Sequence, residues 1–76
     1  MLVYVVVQQE RFRQTTTNDI LAVFSDGAMA REYIMSEIEM IQPNSWYPSK
    51  DHNSFYASKD GHMYTYSIRV FPVKDF

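Results

Sequence analysis

The chain has 76 residues, of which 46% are apolar and 16% aromatic, and it carries a formal net charge of −2. This length predicts one domain, residues 1–76, and the apolar fraction excludes a disordered segment. The sequence has no cysteine and only two glycines. It therefore excludes disulfides, thiolate chemistry and glycine-rich phosphate loops, and we expect no bound cofactor. The acidic balance disfavours broad nucleic-acid binding, which relies on clustered Lys and Arg.

The opening segment MLVYVVV is apolar, but Gln8, Gln9 and Glu10 end it after seven residues and no basic segment precedes it. A secretory signal peptide instead begins with a basic segment, and its apolar core follows that segment. No other apolar run approaches the roughly 18 residues that span a bilayer. The sequence therefore predicts a complete, soluble, cytoplasmic protein without membrane contact.

The first third of the chain predicts two strands. Residues 2–7 are apolar on both alternating faces, which is typical of a central strand buried on two sides. Residues 8–18, QQERFRQTTTN, are polar and predict a connection that is long for a hairpin. Residues 19–24, DILAVF, predict a second strand that pairs antiparallel with the first.

The segment SDGAMAREYIMSEIEMI predicts one amphipathic helix. Ser25 or Asp26 can accept hydrogen bonds from the first free backbone N–H groups. The helix should end at Gln42, because Pro43 cannot continue it. The apolar stripe of the helix consists of Ala30, Ile34, Ile38 and Ile41.

The last third predicts a loop over residues 43–53 and two strands over residues 55–58 and 62–73. Lys59-Asp60-Gly61 joins these strands, and Asp-Gly suits a tight hairpin. The alternating residues that should face the helix are Tyr64, Tyr66, Ile68 and Val70. We therefore predict an α+β fold in two layers: an antiparallel sheet of about four strands, in the order β-β-α-β-β, with the helix on one face.

A single helix should leave the second face of this sheet uncovered. Val3, Val5 and Val7, or whichever alternating set of this strand points away from the helix, then need a cover. The cover could come from the aromatic segment of residues 42–56, from the C-terminal residues or from another chain. We favour a lid over a binding surface for the large side chains of the aromatic segment, which are Trp46, Tyr47, Phe55 and Tyr56.

Arg11-Phe12-Arg13 is the best candidate for an exposed recognition tip. A lone aromatic side chain between two guanidinium groups is typical of binding hot spots. In the alternative interpretation, the segment folds back and Phe12 fills the edge of the sheet.

Three further positions could carry chemistry. Glu37 falls inside the apolar stripe, so it either lies at a boundary where its carboxylate reaches water or pairs with a Tyr hydroxyl, His62 or Arg69. His52 and His62 are the only candidates for a base at neutral pH. No regular spacing makes them converge with Asp51 or Asp60, so we expect neither a metal site nor a catalytic residue.

The segments VYVVV, ILAVFSD, AREYI and YSIRVFPVKD resemble small strand-strand-helix-strand proteins of unknown function from phage and bacterial genomes. In those proteins a "VFS" strand end caps the following helix, and a last strand closes the sheet. The resemblance implies a fold and a phage or bacterial origin, and no activity.

These observations favour a non-enzymatic protein-interaction module, encoded by a phage as an accessory protein that binds or inhibits a host protein. The partner-binding residues would be Arg11, Phe12, Arg13, Trp46 and Tyr47. Self-association as a homodimer is part of this hypothesis.

Two other functions stay open. Tyr56, Tyr64 and Tyr66 suggest a sheet that stacks single-stranded nucleic acid, although the acidic charge and the predicted helix side of Tyr64 and Tyr66 disfavour it. The third is a small enzyme or metal-binding protein that uses His52 and His62.

Overall fold

A computed structural model describes residues 1–74 of the chain. It has an α+β fold with one helix and a single antiparallel sheet of five strands in the order β2-β1-β5-β4-β3. The elements are β1 (Leu2–Phe12), β2 (Thr15–Phe24), α1 (Gly27–Ile41), β3 (Ser45–Pro48), β4 (Ser54–Lys59) and β5 (His62–Pro72). The predicted class and layers are therefore confirmed, whereas the sheet has five strands, in the chain order β-β-α-β-β-β, where about four were predicted.

The first hairpin is longer than the sequence predicts. β1 and β2 pair as far as Phe12 and Thr15, so Arg13 and Gln14 alone form the turn, and the predicted connection over residues 8–18 is wrong. The side chains in this part of β2 are exposed. Polar and β-branched residues such as threonine are therefore well suited to it, although apolar periodicity does not reveal the strand. Arg13 takes the positive φ, 58°, that a tight turn requires.

The fifth strand lies inside the predicted loop of residues 43–53. β3 pairs antiparallel with β4, with Tyr47 opposite Tyr56 and Pro48 opposite Phe55. It is short and lies at the edge of the sheet, where a proline is tolerated because no further strand needs its N–H. Two prolines in six residues, Pro43 and Pro48, are typical of a loop, which explains the error.

The helix and both of its ends are confirmed. Asp26 is the N-cap, and its Oδ1 accepts a hydrogen bond from the Ala28 N–H at 2.7 Å. At the other end, the backbone of Gln42 has the left-handed conformation, with φ 52°, and its N–H donates to the carbonyl of Ile38. Lys59 Nζ also donates to the Ile41 carbonyl, which links the end of α1 to β4.

The core lies between α1 and one face of the sheet. Three residues of the predicted stripe, Ala30, Ile34 and Ile38, are buried, and the fourth, Ile41, is partly buried and packs against them. From the sheet, the buried apolar residues are Val6, Phe55, Ala57, Tyr66 and Ile68. Val70 lies on the helix side as predicted, but it is 48% exposed. β4 begins at Ser54, which lies opposite Ser67. β5 therefore has no β4 neighbour at Val70, and the Val70 side chain is exposed on that side.

Replacement of Ile34 by Ala should be strongly destabilising, because Ile34 is fully buried and its loss leaves a cavity in a small core. We expect a loss of about 2–5 kcal/mol in the free energy of unfolding measured with urea. Met40→Ala, at a position that is 78% exposed on the same helix, is the matched control and should change stability by less than about 0.5 kcal/mol. Equal losses in the two variants would show that α1 does not pack as described.

Candidate functional site

The face of the sheet opposite α1, called the open face below, has no covering segment among residues 1–74. Strand alternation and register define its members. They are Val3, Val5, Val7, Gln9 and Arg11 of β1; Thr16, Asn18, Ile20 and Val23 of β2; Met63, Thr65, Ser67, Arg69 and Phe71 of β5; Ser54, Tyr56 and Ser58 of β4; and Ser45 and Tyr47 of β3. The register shows that Val3, Val5 and Val7 are the set that points away from the helix, a choice that the sequence leaves open.

One half of the open face is apolar. Val5 lies between Val23 and Arg69, and Val7 lies between Ile20 and Ser67. The three valines of β1 are partly buried by their neighbours, whereas Ile20 is 71% exposed and Val23 is 57% exposed. Phe71, next to Val3 and 49% exposed, completes this patch. Large apolar side chains therefore face solvent side by side.

A β-bulge in β2 brings Ile20 and Val23 to the same face. The register of β1 with β2 shifts between Val6 and Val7, so that Leu21 has no partner in β1. Residues three apart in a regular strand point to opposite faces, and one extra residue reverses that relation. Leu21 and Phe24 consequently pack against the core, and Ile20 and Val23 are both available on the open face.

The other half of the open face is polar and aromatic. A row of aligned residues crosses all five strands, with the members Asn18, Gln9, Thr65, Tyr56 and Tyr47. The rings of Tyr47 and Tyr56 are in contact, with centroids 5.1 Å apart and planes tilted by 32°. Together with Met63 and Thr65, these tyrosines line a shallow depression of about 120 Å³. It is too small to enclose a typical ligand.

The open face is positively charged although the chain is acidic. Arg11 and Arg69 are its only ionisable charged residues in the described strands, and no carboxylate lies on it. Arg69 lies beside Val5 at the end of its row of residues, because β4 begins at Ser54 and does not extend past Arg69. Arg11 lies near the hairpin turn, away from the valines. One cation, Arg69, therefore adjoins the apolar half, and the other, Arg11, lies at the far end of the polar half.

The five residues predicted to bind a partner do not form one surface. Arg11 and Tyr47 lie on the open face, but Phe12 and Trp46 are their neighbours in β1 and β3 and point to the helix side. Arg13 occupies the exposed turn. Because both segments were predicted to be loops, the alternation that separates adjacent side chains was not applied to them.

Phe12 is packed as in the alternative interpretation, in which the segment folds back. Its ring stacks on His62 with a centroid distance of 4.0 Å and an interplanar angle of 9°. His62 Nδ1 lies 2.9 Å from Glu10 Oε1, and the Arg13 guanidinium lies 5.1 Å from the centre of the Phe12 ring. These contacts place Phe12 in an aromatic cluster on the helix side, beyond the part of the sheet that α1 covers.

The predicted aromatic lid over the second face is wrong. β3 extends the sheet sideways, so that Trp46 lines a groove of about 540 Å³ against α1, together with Met35, Ile38 and Pro43. Phe55 is buried under the helix. Only Tyr47 and Tyr56 lie on the open face, and they form part of its surface.

Three tyrosines near the core have raised pKa values. Burial is the main cause for each, and it raises the pKa of Tyr66 to about 12 although Gln8 Nε2 donates to its hydroxyl at 3.0 Å. Burial and the charge of Glu10 raise the pKa of Tyr64. Burial, and then the hydrogen bond and charge of Glu37, raise the pKa of Tyr33. Glu37 is therefore a partly buried residue beside a tyrosine hydroxyl.

The two histidines lie at opposite ends of β4. His52 precedes this strand and its carbonyl accepts a hydrogen bond from Arg31 Nε, whereas His62 pairs with Lys59 at the other end. A site built from both histidines requires their side chains to lie close together, whereas the length of β4 separates them. Within residues 1–74, no group of three His, Cys, Asp or Glu side chains could hold a metal ion. The same part of the chain contains no helix with the length and apolarity to cross a membrane.

Comparison of the chain with protein-family models, curated proteins and solved structures finds no match. The resemblance to small phage and bacterial proteins therefore stays a prediction.

The raised pKa of Tyr66 makes stability depend on pH in the alkaline range. The folded-state pKa of about 12 lies above the ordinary value of 10.0, so the stabilisation is complete below pH 10 and is lost as the pH rises towards 12. We expect the free energy of unfolding to fall by up to about 2 kcal/mol over this interval through Tyr66 alone.

Urea unfolding at several pH values measures this slope. Tyr66→Phe should flatten it, even if the variant is less stable at neutral pH because Gln8 loses its partner. Tyr47→Phe, at a residue that is 62% exposed, should keep the wild-type slope. A slope that is identical in all three proteins would contradict the burial of the Tyr66 hydroxyl.

Proposed function

We propose that the chain is a non-enzymatic protein-interaction module and that the open face is its docking surface. The observation that supports this function best is the uncovered apolar half of that face. Val5 and Val7 have the exposed side chains of Val23 and Ile20 beside them on β2, and the exposed Phe71 lies beside Val3 on β5. Contiguous apolar patches of this kind on small proteins mark sites of protein contact.

The charges of the open face favour a particular kind of partner surface. Interfaces commonly combine an apolar centre with polar surroundings, and the open face has Arg69 beside its apolar half and Arg11 at the far end of its polar half. Because no carboxylate lies on the open face, nothing on it neutralises the two guanidinium groups. The partner surface that fits is apolar at its centre. At its border it offers carboxylates or the negative ends of backbone dipoles.

Binding of single-stranded nucleic acid is the second candidate, and the Tyr47–Tyr56 pair on the open face favours it. Nucleobases stack on aromatic rings beside cationic side chains. However, the centre of the open face is aliphatic, only two cations lie on it, and the other two tyrosines of that hypothesis, Tyr64 and Tyr66, lie on the helix side. The protein partner is therefore the stronger proposal.

The proposed role fits an accessory protein that acts by occupying the surface of another protein. A chain with the resemblance described above would be encoded by a phage and would bind or inhibit a host protein. No part of the proposed function requires a cofactor, because contact through the open face is the whole of the activity.

Site-specific photo-crosslinking tests the docking surface. A photoreactive phenylalanine analogue at position 20 places the reactive group on the open face, and the same analogue at position 40 places it on the exposed side of α1. In extracts of the source organism, we expect discrete protein adducts from position 20 and none of the same mass from position 40. Excess unlabelled wild-type chain should suppress the adducts, and excess Ile20→Lys chain should not.

The result that contradicts the proposal is an identical adduct pattern from the two positions. Retention on a single-stranded oligonucleotide column at low salt, lost on Tyr56→Ala and on addition of salt, would instead favour the nucleic-acid candidate.

A further inference from the structure

We propose that the groove between α1 and Trp46 binds an amphipathic, basic helix of a partner protein. This groove lies on the helix side of the sheet, so the inference goes beyond the open face and adds a second docking surface. Three observations support it. They are the room beside α1, the apolar lining of the groove, and two carboxylates at its border that have no partner among residues 1–74.

The helix side of the sheet has room for a second helix. Five strands that lie about 4.8 Å apart span roughly 19 Å, whereas a helix with its side chains is about 10 Å wide. α1 packs over β2, β1, β5 and β4 and leaves β3 outside its cover. Because helices that pack side by side are separated by about 8–10 Å, a second helix fits above β3 and β4.

The groove beside α1 is lined by apolar side chains. Its volume is about 540 Å³, and it extends along α1 from Pro43 at one end to Arg31 at the other. Met35 of α1 and Trp46 of β3 line it and are 39% and 42% exposed, whereas Ile38 is buried beneath them. A tryptophan that is half exposed in an apolar groove is typical of an anchor for a protein partner.

The flank of α1 at this groove has the arrangement of one helix in a coiled-coil pair. Arg31, Met35 and Ile38 form a seam at intervals of four and three residues, and Glu32 and Glu39 flank this seam, seven residues apart. In coiled coils, such flanking residues form ion pairs with the partner helix. The stretch from Arg31 to Glu39 is about 12 Å long, which corresponds to roughly two turns of a docked helix.

The charges at the groove favour a basic occupant. Glu32 and Glu39 are exposed, and neither has a Lys or Arg three or four positions away on α1. Among residues 1–74 neither has an ion-pair or hydrogen-bond partner. Arg31 lies at the end of the groove, where its Nε donates to the His52 carbonyl at 3.4 Å. Lys or Arg side chains seven residues apart on a docked helix would therefore pair with both carboxylates.

An extended strand added to the edge of β3 is the competing occupant, and β3 disfavours it. The Ser49 N–H donates to the Ser54 carbonyl, so by alternation the backbone groups of Trp46 and Pro48 point outward from the sheet. Proline has no N–H, which leaves the Trp46 N–H as the outward donor of this four-residue strand. A docked helix forms its own backbone hydrogen bonds and does not depend on such donors.

Peptide selection and the fluorescence of Trp46 test the proposal. The probe is a displayed library of random peptides about 16 residues long, which is enough for four turns of helix, selected against the immobilised full chain. Selected peptides without tryptophan are then synthesised and titrated into the full chain. Trp46 is the one tryptophan of the sequence, so its emission reports whether the groove is occupied.

We expect selected peptides in which apolar residues repeat at intervals of three and four, and Lys or Arg residues at intervals of seven. On binding, they should gain helical circular dichroism and shift the Trp46 emission to shorter wavelength, because the indole leaves water. Met35→Lys should raise their Kd at least about 30-fold. Met40→Lys, which adds the same charge at an exposed position on the far side of α1, should leave the Kd unchanged.

A pair of double variants tests the charges. Glu32→Gln with Glu39→Gln should raise the Kd about 5-fold, through the loss of two exposed ion pairs. Asp19→Asn with Asp60→Asn removes two exposed carboxylates away from the groove and is the matched control, which should keep the wild-type Kd. Equal increases in Kd for the two double variants overturn the proposal, because the attraction then arises from net charge alone.

Selection that yields no peptide sensitive to Met35→Lys also overturns the proposal, as does a selected set that stays non-helical when bound. The groove and the open face can fail separately. Peptides that are released by Ile20→Lys and retained by Met35→Lys bind the open face, which supports the proposed function and overturns this inference. Peptides with the reverse pattern support the groove, and the crosslinks from position 20 then decide the proposed function independently.

Discussion

The structure depends on one constraint: a helix has a single apolar stripe, so one helix can cover only one face of a sheet. Ala30, Ile34 and Ile38 cover part of one side of the five-stranded sheet and, within residues 1–74, form the buried core with the sheet residues below them. The first half of β1, residues 2–7, is nevertheless apolar on both of its faces. When α1 packs on one face of the sheet, the apolar side chains on the other face stay exposed. The core and the candidate site therefore both follow from the same sequence pattern.

The sequence predicts the parts of this fold in which hydrophobic periodicity and capping agree. These include α1, whose N-cap was expected at Ser25 or Asp26, and the β4–β5 hairpin. It does not predict β3, whose prolines resemble those of a loop, or the polar half of the first hairpin, whose pairing depends on backbone hydrogen bonds that leave no apolar pattern. Both failures concern strands that are exposed to solvent.

The candidate site was only partly predictable for a more specific reason. Regular alternation would separate Ile20 from Val23, and only the bulge at Leu21 places them together on the open face. In contrast, alternation separates Trp46 from Tyr47 and Arg11 from Phe12 once their segments are known to be strands. A recognition surface in a sheet is therefore defined by register, and residues that are adjacent in the sequence are seldom adjacent in such a surface.

The pairing of β1 with β5 joins the two ends of the chain. Leu2 lies opposite Pro72, and the Val73 N–H donates to the Met1 carbonyl at 2.8 Å. Contacts of such large sequence separation raise the contact order and slow folding, because most of the chain must be ordered before they form. During synthesis, β1 consequently emerges from the ribosome long before its central partner exists. The nascent chain must keep this valine-rich strand from other associations until residues 62–72 have been added.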